Sequence, residues 1–267
     1  MISEELRQWV MEQQRLGMAR EGMLRSMLSS GWQHIMADQV LDHLLASPTL
    51  LCPEPRLLGS PSSLTIDGHT VDILLSLRQP RIVLLGGLLT DEECDALVVQ
   101  ADSRLQRSET VDQTHGGSLV HEARTSDGMF FPRGVSPLVE RIEARIAALL
   151  NWPIENGEGL QVLRYRPGAE YKPHYDYFDT SLASTSAILR RGGQRVATLV
   201  MYLNTPIRGG ETTFPDIGLN VSPHKGNAVF FSYPVAASSS LTLHGGGEVL
   251  EGEKWVATKW LRQSRFD

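Results

Sequence analysis

Tyr171-Lys172-Pro173-His174-Tyr175-Asp176-Tyr177-Phe178 reads as a β-strand, in which residues two apart project from the same face. His174 and Asp176 therefore point the same way and can chelate one ion. The stretch belongs to a β-rich second half, with strands expected over 160–165, 171–177, 196–203, 228–233, 241–244 and 254–260 between Gly and Pro turns. Many short strands at that spacing predict a sandwich or jelly roll. A third ligand has to come from elsewhere. His244, 68 residues after Asp176 and on another expected strand, supplies it if the two strands face each other. Two imidazoles and one carboxylate with open positions form the facial set that suits non-haem Fe(II).

A His-x-Asp pair is short enough to arise by chance, with a lone downstream histidine satisfied in a core. Lys254 changes the balance. It lies ten residues beyond His244 in Gly252-Glu253-Lys254-Trp255-Val256-Ala257-Thr258-Lys259-Trp260, an apolar strand where an inward lysine needs an anionic partner. A carboxylate ligand answers that need.

Upstream, residues 81–85 read as a strand. Thr90 followed by Glu93 is a capping box that opens a helix through about Ala101. Ser136 with Pro137 begins another, given one apolar face by Leu138, Ile142, Ile146 and Leu149. Both are expected to buttress a sheet. Between them, 103–128 is polar, contains Gly116 and Gly117, and has no sustained period, which is more often a lid than a connector. A second lid is expected over 179–191. Before these come a helical module over 1–47, a Pro-rich linker, and a hairpin in which 64–66 and 70–73 flank Asp67-Gly68. The domain reading is thus 1–47, 48–80 and 81–267.

The chain has 25 basic against 31 acidic residues and no dense basic stripe, so it lacks the electrostatic footprint of nucleic-acid binding. No apolar run approaches membrane-spanning length, and Glu4 and Glu5 give the start the wrong sign for a signal peptide. Cys52 and Cys94 alone make neither a disulfide framework nor a cysteine zinc cluster, and they fit a reducing, cytoplasmic setting. His34, His43, His69 and His224 lack a ligand-spaced partner, and His115 and His121 fall in the polar segment, so none is given a metal role.

His174-x-Asp176, His244 and Lys254 resemble the prolyl 4-hydroxylase branch of the 2-oxoglutarate oxygenases over about residues 81–260. Further matches are Leu163-Arg164-Tyr165, Gly192-Gly193-Gln194-Arg195-Val196-Ala197-Thr198, Tyr202-Leu203-Asn204, Gly209-Gly210-Glu211-Thr212-Thr213-Phe214-Pro215 and Arg124-Thr125-Ser126. The resemblance implies an α+β fold: a double-stranded β-helix, or jelly roll, buttressed by helices, with the N-terminal helices as a small module. It implies Fe(II) on His174, Asp176 and His244, and 2-oxoglutarate held by Lys254 with Tyr165 and Thr212. Tyr171, Arg195 and Trp260 become substrate contacts, and ascorbate a candidate reductant.

The expected reaction is hydroxylation of a prolyl residue in a peptide or protein, coupled to decarboxylation of 2-oxoglutarate to succinate and carbon dioxide. A carboxylate at Asp176 speaks against halogenation, because resembling halogenases lack that ligand. Alternatives are a free amino acid or other small molecule as substrate, or a cupin-like metal-binding protein without oxygenase activity. Nucleic-acid demethylation is disfavoured by the acidic balance. The N-terminal helices match no family; their Met and Trp content reads as a small core more often than as a partner-binding surface, with dimerisation or target docking as the open roles.

Overall fold

A computed structural model describes the chain except residues 1, 2, 16, 17, 19, 47–49, 56, 58–60, 108, 109, 112–117, 120–124, 181 and 183. Much of the first expected lid, with Arg124, His115 and His121, therefore lies outside the described residues. Contacts divide the chain into Met1–Leu50 and Leu51–Asp267. In the first unit, α1 (Glu4–Arg15), α2 (Arg20–Ser29) and α3 (His34–Ala46) enclose Val10, Met23, Met27, Ala37, Leu41 and Leu44. Arg20 donates to Asp38 at 2.7 Å, tying α2 to α3.

The second unit begins its regular structure with a hairpin of β1 (Ser63–Ile66) and β2 (His69–Leu77). Asp67 at φ 49° and Gly68 at φ 78° both adopt the left-handed backbone that a two-residue Asp-Gly turn requires. This hairpin does not belong to a separate 48–80 connector. β2 pairs directly with β3 (Arg81–Gly86), which makes the hairpin the margin of the main sheet.

Two helices follow their sequence signals closely. In α4 (Asp91–Asp102) Thr90 Oγ1 accepts from Glu93 N, and Glu93 Oε2 accepts from Thr90 N. In α5 (Pro137–Leu150) Ser136 caps the first turn, and the four residues of the expected apolar face are all buried. Glu93 joins these helices by accepting from Arg145 Nη1 at 2.6 Å and Nη2 at 2.9 Å. On its other flank α5 is tied to the sheet by an ion pair between buried Glu143 and Lys259.

The other strands of the two larger sheets are β4 (Gln106–Arg107), β5 (Asp127–Phe131), β6 (Leu160–Tyr165), β7 (Tyr171–His174), β8 (Arg195–Tyr202), β9 (Thr212–Phe214), β10 (Leu219–Val221), β11 (Ala228–Ser232), β12 (His244–Gly246) and β13 (Lys254–Arg262). Among the described residues the larger sheet runs β1-β2-β3-β11-β8-β13-β6-β5-β4 and the smaller β10-β9-β12-β7, with antiparallel neighbours throughout. Leu163, Val229, Phe231 and Val256 of the first share one core with Phe214 and Val221 of the second. This is a jelly roll with helices added, the α+β double-stranded β-helix expected.

Strand β13 serves both of its faces. Lys254, Val256, Thr258 and Trp260 line the cavity between the sheets, while Lys259 turns to α5. Two expected strands are shorter than the alternation suggested. The first stops at His174, leaving Asp176 in a bend; the other starts only at His244, because Ser238–Ser240 forms a 3-10 turn and Leu241 is left-handed at φ 54°.

Burial pushes the Glu93 carboxyl up, but Arg145 and Arg141 outweigh it and hold it at about 2. Because that value lies below the carboxyl's ordinary 4.5, its stabilising contribution is full above pH 4.5 and lost as pH falls toward 2. Replacing Glu93 with Ala strands a buried Arg145 cation and should cost about 3–5 kcal/mol in urea unfolding at neutral pH. The variant should also show a shallower loss of stability below pH 4.5.

Candidate active site

Strand pairing sets the first two ligands. His174 on β7 and His244 on β12 are direct cross-strand partners, with ring centroids 4.4 Å apart. The strands come this close because residue 245 is glycine: a Cβ there would lie 2.8 Å from the Tyr171 carbonyl oxygen. Asp176 reaches back from its bend, with Oδ1 3.5 Å from His174 Nε2 and Oδ2 3.4 Å from His244 Nε2.

Each imidazole also has Nδ1 3.0 Å from a carbonyl two residues earlier, that of Lys172 for His174 and of Thr242 for His244. A carbonyl can only accept, so Nδ1 carries the proton and Nε2 presents its lone pair. Burial lowers the pKa of His174, with His244 acting in the same direction, which favours the neutral ring. Two nitrogen lone pairs and a carboxylate thus converge, with ligand atoms within 4.8 Å of one another. They repel until a cation lies among them, and this donor set fits Fe(II).

Asp176 has its own support, which the sequence reading did not assign. Thr198 Oγ1 donates to Asp176 Oδ2 at 2.6 Å and lies 3.0 Å from the Tyr233 hydroxyl. Gln194 clamps the next turn of chain, accepting from Phe178 N and donating to Phe178 O, each at 2.8 Å. Gln194 and Thr198 did stand in a quoted motif. Their signal was a polar side chain just before a buried strand and another in its middle, where a partner is obligatory.

The cavity between the sheets is narrow and open to solvent on one side. The triad, Lys254, Tyr165, Thr212, Tyr171 and Trp260 all line it. Lys254 is 4% exposed, with Nζ 5.5 Å from the Tyr165 ring centroid and 6.0 Å from that of Tyr202. Among the described residues no carboxylate lies within ion-pairing distance of it. Burial lowers its pKa to about 8, so near neutral pH it is mostly a cation without a counter-ion. Gly210, at φ 74°, leaves the space its stem needs, since a Cβ would come 3.1 Å from Lys254 Cδ. Thr212 is held from behind by the Tyr202 hydroxyl at 2.8 Å.

Two of the three expected substrate contacts reach the cavity. Tyr171 stacks on His174 at 3.7 Å between centroids, and Trp260 forms wall with its indole Nε1 buried and unpaired. Arg195 is not brought to the cavity wall. Its Nε and Nη2 donate to Glu158 at 2.7 and 2.9 Å, and its guanidinium lies 4.0 Å from the Trp260 ring centroid. A buried carboxylate 37 residues earlier in the chain takes its charge.

A jelly roll whose mouth gathers two imidazole lone pairs and one carboxylate defines a mononuclear non-haem metal enzyme. Residues 160–262 match the model of the 2OG-Fe(II) oxygenase superfamily. Prolyl 4-hydroxylase 2 of Arabidopsis thaliana is 40% identical over 241 residues, covering 82% of this chain and 78% of that protein. Prolyl 4-hydroxylase 1 of the same plant is 45% identical over 201 residues, 69% of each chain. The crystal structure of the collagen prolyl hydroxylase of Paramecium bursaria Chlorella virus 1, in complex with 2OG, superposes with a TM-score of 0.53 at 30% identity, over 68% of this chain and 95% of that one. The chain belongs to the prolyl 4-hydroxylase family of the 2OG-Fe(II) oxygenase superfamily, and its cofactors are Fe(II) and 2-oxoglutarate.

Alanine at His174, Asp176 or His244 removes one of the three donors that converge there among the described residues. Each variant should lose stoichiometric Fe(II) binding in anaerobic dialysis followed by metal analysis. Full retention in any one of them would refute the ligand set.

Proposed function

We propose that the chain hydroxylates a prolyl residue within a peptide or protein, using His174, Asp176 and His244 to hold iron and Lys254 to hold 2-oxoglutarate. The observation that carries this reading is the unpaired Lys254 ammonium in the same cavity as the triad. Bound there, the group supplies the oxidising chemistry: one oxygen atom of O2 enters the substrate C–H bond and the other enters succinate as 2-oxoglutarate loses carbon dioxide.

The protein's residues bind, orient and exclude water. Lys254 neutralises the distal carboxylate, Tyr165 and Thr212 bracket it, and Tyr202 orients the Thr212 hydroxyl. A prolyl residue has no N–H, so its only backbone polar handle is an acceptor. Trp260 Nε1–H is an unpaired donor facing that requirement, and the Arg195 guanidinium stacked on its ring fixes the indole plane. Outside Trp260 stands Phe130, 51% exposed and 6.4 Å away between centroids. An exposed aromatic ring beside Trp260 suits a peptide better than a charged small molecule. This favours a proline-containing partner over the free amino acid kept open by the sequence.

The test is release of labelled carbon dioxide from carboxyl-labelled 2-oxoglutarate with Fe(II), ascorbate and oxygen. Proline-containing peptides should stimulate it, and the same peptides with alanine at every proline should not. Stimulation by free amino acids alone would overturn the peptide assignment. A second outcome follows from Lys254. Its amine is charged below about 8 and neutral above, so the Kd for 2-oxoglutarate should be lowest below that pH and rise by about tenfold per unit above it. Lys254→Met should bind weakly and without that pH dependence.

A further inference from the structure

Asp176 stands beyond the last paired residue of β7, so strand hydrogen bonds do not fix its side chain. What does reach it is Thr198, from the middle of β8. That residue is wholly buried and its backbone is paired on both sides, to Phe231 of β11 and Trp260 of β13, which makes it an immobile anchor. Behind it lies Tyr233, wholly buried, its backbone N–H held by the Val196 carbonyl at 3.0 Å and its ring against Tyr177 and Phe231.

The direction of the hydrogen bonds is dictated by chemistry. An ionised carboxylate only accepts, so the single Thr198 proton goes to Asp176 Oδ2, and the Tyr233 hydroxyl must donate to Thr198. Donation from Tyr233 strengthens the bond that Thr198 makes. One oxygen of Asp176 is thereby engaged from behind, and the rotation of the carboxylate about its own axis is stopped.

We propose that Thr198 and Tyr233 are a positioning pair that fixes the carboxylate of Asp176 and thereby sets the affinity of the site for its divalent metal. The proposal rests on the reading that His174, Asp176 and His244 hold that metal. Neither residue supplies a ligand atom. Their contribution is to remove, before metal arrives, a freedom that binding would otherwise have to freeze.

Mn(II) is a redox-silent probe, and its binding can be followed by electron paramagnetic resonance without 2-oxoglutarate or turnover. Thr198→Val keeps the shape and removes the hydroxyl; it should weaken Mn(II) by about 10–100-fold. Thr198→Ser restores a donor and should stay within about threefold of the unmodified chain, with Tyr233→Phe between the two. The melting temperature of each metal-free variant is measured alongside. Unchanged Mn(II) affinity in Thr198→Val, whatever its melting temperature, overturns the proposal and leaves a merely structural hydroxyl pair. Should that variant not fold, Tyr233→Phe decides in the same way, since it deletes one oxygen and keeps the ring. An unmodified chain that fails to bind Mn(II) would instead overturn the metal site itself.

Discussion

Direct pairing of His174 with His244 across β7 and β12 is the contact on which the rest of the site depends. Side chains alternate along a strand, so a slip of one residue would turn His244 away from the cavity and break the ligand set. The glycines that follow His244 allow the strands to approach without a Cβ between them. Once both imidazoles are fixed, the Lys172 and Thr242 carbonyls select the tautomer, and the metal-facing nitrogens are defined before any metal arrives.

Two lysines on β13 show how one strand separates architecture from chemistry. Lys259 faces the helix layer, where Glu143 and the Glu158 carbonyl satisfy it. Lys254 faces the cavity, where its neighbours are aromatic rings and, among the described residues, no carboxylate lies within ion-pairing distance. Removing a cation from water without a counter-ion is costly. A fold that retains one at the end of an open cavity has left a place for an anion.

Much of this was legible because the signals were local. Thr90 with Glu93, Ser136 with Pro137, and Asp67-Gly68 each specify their structure within four residues, and each formed it. The triad and Lys254 were legible from residue type and spacing, although the reason given for Asp176 was mistaken: it lies in a bend past the strand, and Thr198 with Gln194 secures that region. The pairing of Arg195 with Glu158 was not legible, because the two are remote in sequence and no local pattern announces which carboxylate a buried guanidinium will find. Tyr233 escaped for the same reason, since its hydroxyl acts through Thr198 on a neighbouring strand.

One cavity has to hold both the metal and 2-oxoglutarate. Anaerobic titration of 2-oxoglutarate into the Fe(II)-loaded chain tests it most directly, because a keto acid chelating Fe(II) produces a visible charge-transfer band. The unmodified chain should give a saturable band, and Lys254→Met should reach it only at concentrations about 100-fold higher. No band in the unmodified chain, or equal affinity without the lysine, would contradict it.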